Sequence, residues 1–459
     1  MRIKVLKFGG TSVGTAEHRL AAARHVVQCR EQGCSPVVVV SAIGRAGAPY
    51  ATDTLLNELR GVDPSVPPDP RDLDLMVACG EIISTVIFAQ TLRSLGYQAT
   101  ALSGGQAGII TDEVFGDARI ASINPYYAIS SLRQGKIPVV AGFQGVTDPG
   151  TGRHGAITTL GRGGSDTTAS ALGAALRAEA VEIYTDVPGV MTADPRVCPG
   201  AATLPRVSYE EIAEMAHQGA KVLHPRAAEI AMDYGIPLWV KGTGMADEGT
   251  LVAGSAADLP HRVTGITSAA RIAYLTLRVA HPEDRRRLEL ELFRILARVR
   301  VSFYLIGSST ESIGFAVPRE SLALVTDLLD GLVVPAEREG DAPRLYVLRA
   351  GETGTQSAVQ QDLLAGAGNL GSVVPAPLAV ADTCAIVSVI ATRMWETPGM
   401  AVAALETLQE AGVPVLQMAD APLSLSCLIH ENGLERAVQA LHARFILREQ
   451  EEGTGALKY

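Results

Sequence analysis

The hydrophobic rhythm of the chain changes once. Through roughly residue 250, short continuous apolar runs alternate with stretches of helical spacing. Ile3–Lys7 reads as a strand, Ala16–Gln32 carries helical apolar spacing, and Pro36–Ser41 contains Val37-Val38-Val39-Val40, the unbroken run of a strand buried on both faces. Asp72–Leu95 and the Ala-rich Ala169–Ala178 are predicted helices, and Ile137–Ala141, Val181–Thr185 and Pro237–Val240 predicted strands. Buried β-branched strands separated by helices imply an α/β fold, a mostly parallel sheet with helices on both faces.

The remainder alternates differently. Strand Ala273–Val279, helix Glu283–Arg298, strands Val301–Ile306 and Ile313–Val317 and helix Glu320–Leu332 are echoed by strand Cys384–Ile390, helix Met400–Ala411, strands Val413–Met418 and Leu423–Ile429 and helix Leu434–Phe445. Such an echo points to two ferredoxin-like βαββαβ modules; the plainer alternative is one irregular α+β domain. Between the copies, residues 333–378 are rich in Gly, Ala and Pro, hold the charged run Glu337-Arg338-Glu339, and read as an inserted linker or long loop. The expected organisation is therefore 1–255, 256–332, the insertion at 333–378, and 379–459.

Composition narrows the function. With 459 residues, 47% hydrophobic and 19% charged, the chain is long enough for several domains. A formal charge of −10 leaves no basic surplus for nucleic acid, although a few local cations suffice for a nucleotide. No signal-peptide core or membrane-length apolar run stands out, so a cytoplasmic protein is expected. The six cysteines are scattered without a CxxC pair, which argues against structural zinc and disulfides.

Four turns follow predicted strands, where open α/β sheets bind ligands. Lys7-Phe8-Gly9-Gly10-Thr11-Ser12 joins a cation to paired glycines whose N–H groups can approach phosphate; it serves equally as a tight turn with Thr11 or Ser12 capping a helix. Gly161-Arg162-Gly163-Gly164-Ser165-Asp166 suits an anion cradle, with Arg162 for a carboxylate, or else a connector in which Asp166 caps a helix. Thr185-Asp186 through Arg196 resembles a nucleotide-edge loop as much as ordinary turn chemistry. In Gly219–Pro225, Lys221 can reach a phosphate, while His224 before proline reads as structural. Neither GxxxxGK[ST] nor GxGxxG occurs, and no Ser–His–Asp set or His cluster appears. Phosphoryl transfer by positioning and charge survives these exclusions.

KFGGTSV (Lys7–Val13), GRGGSDTTA (Gly161–Ala169), YTDVPGVMTADPR (Tyr184–Arg196) and GAKVLHPRA (Gly219–Ala227), in this order within 1–255, resemble the aspartate kinases of the amino acid kinase family, whose paired C-terminal ACT modules the two repeats resemble. Ala42–Arg45 through Tyr50–Asp53 and Cys79–Glu81 look closest to the diaminopimelate-sensitive branch. The resemblance implies transfer of the ATP γ-phosphate to the β-carboxylate of L-aspartate, opening the routes to lysine, diaminopimelate, threonine and methionine. It implies Lys7 and Asp166 as catalytic; Ser41, Thr52, Glu81, Arg162, Gly163, Gly164 and Ser165 as aspartate contacts; and Lys7, Phe8, Gly9, Gly10, Ser165, Thr185, Asp186, Met191, Arg196, Lys221 and Val222 as ATP contacts. Met191 stands where many relatives place an aromatic residue. Mg²⁺ is expected with ATP, held by phosphates and water rather than by protein ligands. A homodimer or larger assembly and an amino-acid effector at the ACT modules are also implied. The rivals are another amino acid kinase and a catalytically silent amino-acid sensor.

Overall fold

The continuous apolar runs form the middle of an eight-stranded sheet. Its order is β10 (Arg206–Val207), β12 (Thr250–Val252), β11 (Leu238–Gly242), β9 (Ala180–Thr185), β1 (Ile3–Phe8), β2 (Ser35–Val40), β6 (Ile137–Ala141) and β3 (Ala99–Leu102), with every pairing parallel except β11 with β12. This computed structural model describes residues 1–148, 150, 155–220, 222–245, 247–255, 263–299, 301–338, 341–350, 372–392, 394 and 399–447. They divide into two compact units, chiefly 1–265 and chiefly 266–389 with 394–445.

Side-chain alternation splits the valine run between two cores. Val38 and Val40, with Leu6 and Phe8, pack under α1 (Ala16–Glu31) and α3 (Pro70–Ser94). Val37 and Val39, with Val5 and Ile183, pack under α5 (Gly164–Leu176), α6 (Tyr209–His217) and α7 (Pro225–Asp233). A second sheet runs β5 (Ile120–Ile123), β4 (Ile109–Thr111), β7 (Gln144–Thr147), β8 (Ile157–Thr159). The remaining helices of this unit are α2 (Thr52–Gly61) and α4 (Tyr126–Arg133). By length and apolar composition α3 matches a membrane span, but half of its apolar stretch is buried, and the helix packs on β3, β6 and β8 as a core helix holding the buried acids Asp74 and Glu81.

The second unit runs β13 (Val263–Arg278), α8 (Arg285–Arg298), β14 (Ile306–Ser308), β15 (Ser312–Pro318), α9 (Leu322–Leu329), β16 (Val333–Arg338), β17 (Asp341–Ala350), then β18 (Ser372–Ala391), α10 (Met400–Glu410), β19 (Val415–Ala421), β20 (Ser424–His430) and α11 (Leu434–His442). The two repeats share strands: the order is β14-β15-β13-β18-β17-β16, and β20 joins both β18 and β19.

Several elements differ from their expected form. Much of the linker expected over 333–378 is strand: β16 pairs antiparallel with β17, and β17 parallel with β18. Flanking Gly, Ala and Pro obscure the apolar run Leu345-Tyr346-Val347-Leu348, which buries Tyr346 and Leu348 completely in the first repeat's core. The strand expected over Val301–Ile306 is Ile306–Ser308, because upstream only Tyr304 and Leu305 bond to Ala316 of β15. Helix α9 stops at Leu329 rather than Leu332, since Gly331 turns the chain at φ +76° into β16. Helix α5 begins at Gly164 rather than Ala169, which puts Ser165 and Asp166 in its first turn. The Pro-Gly turn of the second repeat retains Gly399 as the αL cap of α10; Pro398 lies outside the described residues.

Candidate active site

Register brings the separate motifs to one edge. Lys241, Tyr184, Phe8, Val40 and Ala141 stand side by side across the sheet, so the residues that follow them, Gly242, Thr185, Gly9, Ser41 and Gly142, line its carboxyl edge. Lys7 lies one residue back on β1, and its Nζ meets Asp166 Oδ1 at 2.7 Å, with the two side chains 11% and 12% exposed. Asp166 sits in the first turn of α5, where the helix dipole favours negative charge.

The turn after β1 is fixed by close approach. Gly9 N–H donates to Tyr184 O (3.3 Å), and Gly44 N–H to Gly10 O (3.0 Å). A Cβ on Gly10 would lie 2.6 Å from the carbonyl oxygens of both Ala42 and Gly44. Ser12 and Thr243 hydroxyls are 2.6 Å apart, and Thr243 donates to Thr185 O at 3.2 Å, tying the β1, β9 and β11 ends together.

A second group of residues surrounds the start of α5. Gly161 (φ +72°) and Gly163 (φ +68°) bracket Arg162, which is exposed and whose guanidinium has no partner among the described residues. A Cβ on Gly142 would meet Ser165 Oγ at 2.7 Å, and one on Gly163 would meet the His224 ring at 2.3 Å. His224 caps α7, its Nδ1 accepting from Arg226 N–H (3.3 Å), and burial holds its pKa below the ordinary value, which favours the neutral ring. From α3, Glu81 (2% exposed) accepts Ala42 N–H at 3.1 Å through Oε1, while its buried Oε2 has no partner. Burial pushes its pKa up to about 8.

The other predicted contacts sit less centrally. Ser41, whose N–H donates to Phe8 O (3.1 Å), and Thr52, the first residue of α2, are both half-buried. The Phe8 ring is fully buried between Phe88 and Tyr184, so only its backbone is left for a ligand. Asp186 pairs with Arg45. Arg196 folds onto Asp194 (2.7 Å), and Met191 Sδ accepts from Thr203. Val222 is half-buried against the main core; Lys221 lies outside the described residues. Sequence reasoning missed Arg45, Asp74, Asp117, Gly142, Arg226 and Thr243. Asp74 left a signal, an acid within the apolar stretch Leu73–Ala78, and Arg45 and Arg226 fell inside quoted segments without being given a role; Asp117, Gly142 and Thr243 matter only through tertiary contact.

Residues 2–242 match the model of the amino acid kinase family, and residues 387–445 that of the ACT domain. The chain is 37% identical to aspartokinase 1 of Bacillus subtilis, over 97% of its own length and all of the relative's. It is 35% identical to the aspartokinase of Corynebacterium glutamicum, covering 99% and 100% of the two chains. Among solved structures it resembles E. coli aspartokinase III in complex with aspartate and ADP, with a TM-score of 0.70 and 26% identity over 96% of this chain and 99% of that one.

Proposed function

From the premise that this chain belongs to the amino acid kinase family, aligning with aspartokinases over nearly its whole length, we propose that it transfers the γ-phosphate of ATP to the β-carboxylate of L-aspartate, giving 4-phospho-L-aspartate and ADP. This is the first step toward the aspartate-derived amino acids. The observation that carries the site assignment is the Lys7–Asp166 pair at the carboxyl edge of the parallel sheet.

The acceptor is already an anion at neutral pH, so the reaction needs no general base; it needs relief of repulsion between two anions. Lys7, held by Asp166, offers its ammonium to the transferring phosphoryl group. Gly9, where a Cβ would stand 3.6 Å from Lys7 Nζ, keeps side-chain bulk away from that ammonium, while Gly10 lets the turn pack against the Ala42 and Gly44 carbonyls. Arg162, free of protein partners among the described residues, takes an acceptor carboxylate, with Gly163, Gly164 and Ser165 at the α5 N-terminus beside it. Glu81 offers its unpartnered Oε2 to the acceptor's ammonium. Ser41 and Thr52 complete the acceptor side; Thr185, Asp186, Met191, Arg196, Lys221 and Val222 form the nucleotide side. Mg²⁺ enters with ATP and supplies charge neutralisation across its phosphates. Among the described residues no group of three His, Cys, Asp or Glu side chains is placed to hold a metal ion.

An enzyme drawing on ATP and free aspartate belongs in the cytoplasm. Regulation is assigned to the second unit, E. coli aspartokinase III having been solved with lysine as well as aspartate. The effector proposed for first testing is diaminopimelate, on the segments Ala42–Asp53 and Cys79–Glu81. The second repeat keeps a glycine at its strand-to-helix turn, whereas in the first the turn is filled: buried Asp284 accepts from Tyr346 (2.8 Å) and Arg344 (2.9 Å). Coupled ADP release with aspartate, glutamate and acetylglutamate as acceptors tests the proposal. Turnover with aspartate at least about a hundredfold above the others is expected for a site that hydrogen-bonds its acceptor. Preference for another acceptor, or binding without ADP release, would overturn it.

A further inference from the structure

Strand β8 leads through Leu160 and Gly161 directly into Arg162, and three side chains that the motifs gave no role, Asp74, Asp117 and Arg226, hold this passage. Below it, Asp74 of α3, 2% exposed, accepts Thr159 N–H (2.8 Å), the Thr159 hydroxyl (2.7 Å) and Gly116 N–H (3.0 Å). Asp74 thus joins the end of β8 to the loop carrying Gly116 and Asp117. Above it, Arg226 of α7 donates from Nη1 to Leu160 O (3.2 Å) and pairs through Nη2 with Asp117 Oδ1 (2.9 Å). Asp117 lies against Gly161, where a Cβ would stand 2.9 Å from its Oδ1. Arg226 therefore grips both residues that precede Arg162, one directly and the other through Asp117.

A pair with side chains 29% and 55% exposed adds little to global stability. Its position gives it another use. A turn with left-handed glycines on both sides of Arg162 has more freedom to lose than any other backbone. Ordering it before the ligand arrives reduces what binding must supply. We propose that the Asp117–Arg226 ion pair is a positioning latch that fixes the Leu160–Gly163 turn, and thereby sets the enzyme's affinity for the carboxylates of its acceptor. The proposal rests on the assignment of Arg162 to the aspartate site. Val222, on the nucleotide side, precedes α7, but both bonds of the Arg226 side chain, to Leu160 O and to Asp117, run to the turn that carries Arg162, so the latch acts chiefly on the acceptor.

The test uses the full-length enzyme with Asp117→Asn, Arg226→Ala, Arg226→Lys and the double variant Asp117→Asn/Arg226→Ala. Arg226→Ala and Asp117→Asn are each expected to raise KM for aspartate about tenfold, leaving KM for ATP within about twofold, and the double variant should be no worse than the poorer single one. Arg226→Lys, which keeps the charge but loses the two-pronged grip, should fall between wild type and Arg226→Ala. Equal rises in both KM values, additive effects, or no change would overturn the latch. Hydrogen exchange of the substrate-free proteins supplies a readout independent of the acceptor: amides of 160–164 should exchange about tenfold faster in Asp117→Asn, whose surface side chain leaves folding intact, and unchanged exchange would also overturn it. Wild-type ADP release with aspartate reports separately on the functional assignment, so failure of the one is distinguishable from failure of the other.

Discussion

What lets Lys7 sit with only 11% of its side chain exposed is the Asp166 carboxylate 2.7 Å away, itself placed at a helix start that favours negative charge. Lys7→Ala is expected to lower turnover by about 10²–10³-fold or more while circular dichroism retains the folded spectrum; activity within about tenfold of wild type would remove Lys7 from catalysis. Glu81 carries a pH prediction. Burial raises its folded pKa from 4.5 to about 8, so between those values the native state holds a proton that the unfolded chain has released. Its contribution to stability is therefore complete below about pH 4.5 and is lost as pH rises through 8. Thermal melts of substrate-free protein should show this decline, and Glu81→Gln should flatten it; an unchanged pH profile would contradict the assignment. An arriving ammonium favours the ionised carboxylate, so KM for aspartate should fall from pH 6 toward 8 in wild type and not in Glu81→Gln.

At the scale of elements, Gly10 and Gly163 show how the backbone was fitted to the site. Gly163→Ala must adopt φ +68° and place a methyl 2.3 Å from the His224 ring. A loss of about 1–3 kcal/mol in denaturant unfolding is expected, together with a raised KM for aspartate; a stability within error of wild type would show that the turn relaxes freely. The strands of this region were legible because burial on both faces leaves unbroken apolar runs, as in Val37–Val40. Helix α2 was not, since none of its residues is fully buried and its short apolar face, Leu55, Leu56 and Leu59, stands between glycine- and proline-rich flanks. Helix α5 was read as starting late because Gly163-Gly164 looks like loop, although Gly163 in the αL conformation caps a helix that begins at Gly164. Lys7, Arg162 and Asp166 were legible as motif residues beside glycines. Asp74, Asp117 and Arg226 were not, because α3, the loop after β4 and α7 are far apart in the chain and meet only in the fold.

On the scale of the whole molecule, the second unit presents apolar side chains on strands at the ends of its sheet. Tyr304 and Ile306, beside and on β14, are 40% and 50% exposed, and Leu416 and Met418 on β19 are 41% and 38% exposed. Edge strands with such residues pair between chains, so sedimentation at micromolar concentration should show a dimer or larger assembly. A monomer would contradict this. Calorimetric titration with diaminopimelate, lysine, threonine and methionine should give binding that Gly399→Val abolishes and Arg344→Ala leaves intact; the reverse would place the effector in the first repeat. The most direct measurement of the central claim is the identity of the product. Enzyme, ATP, Mg²⁺ and L-aspartate incubated with hydroxylamine should yield aspartate β-hydroxamate in step with ADP by mass spectrometry, because an acyl phosphate on the side-chain carboxylate is captured there. ADP release without any hydroxamate, or hydroxamate on the α-carboxylate, would contradict it.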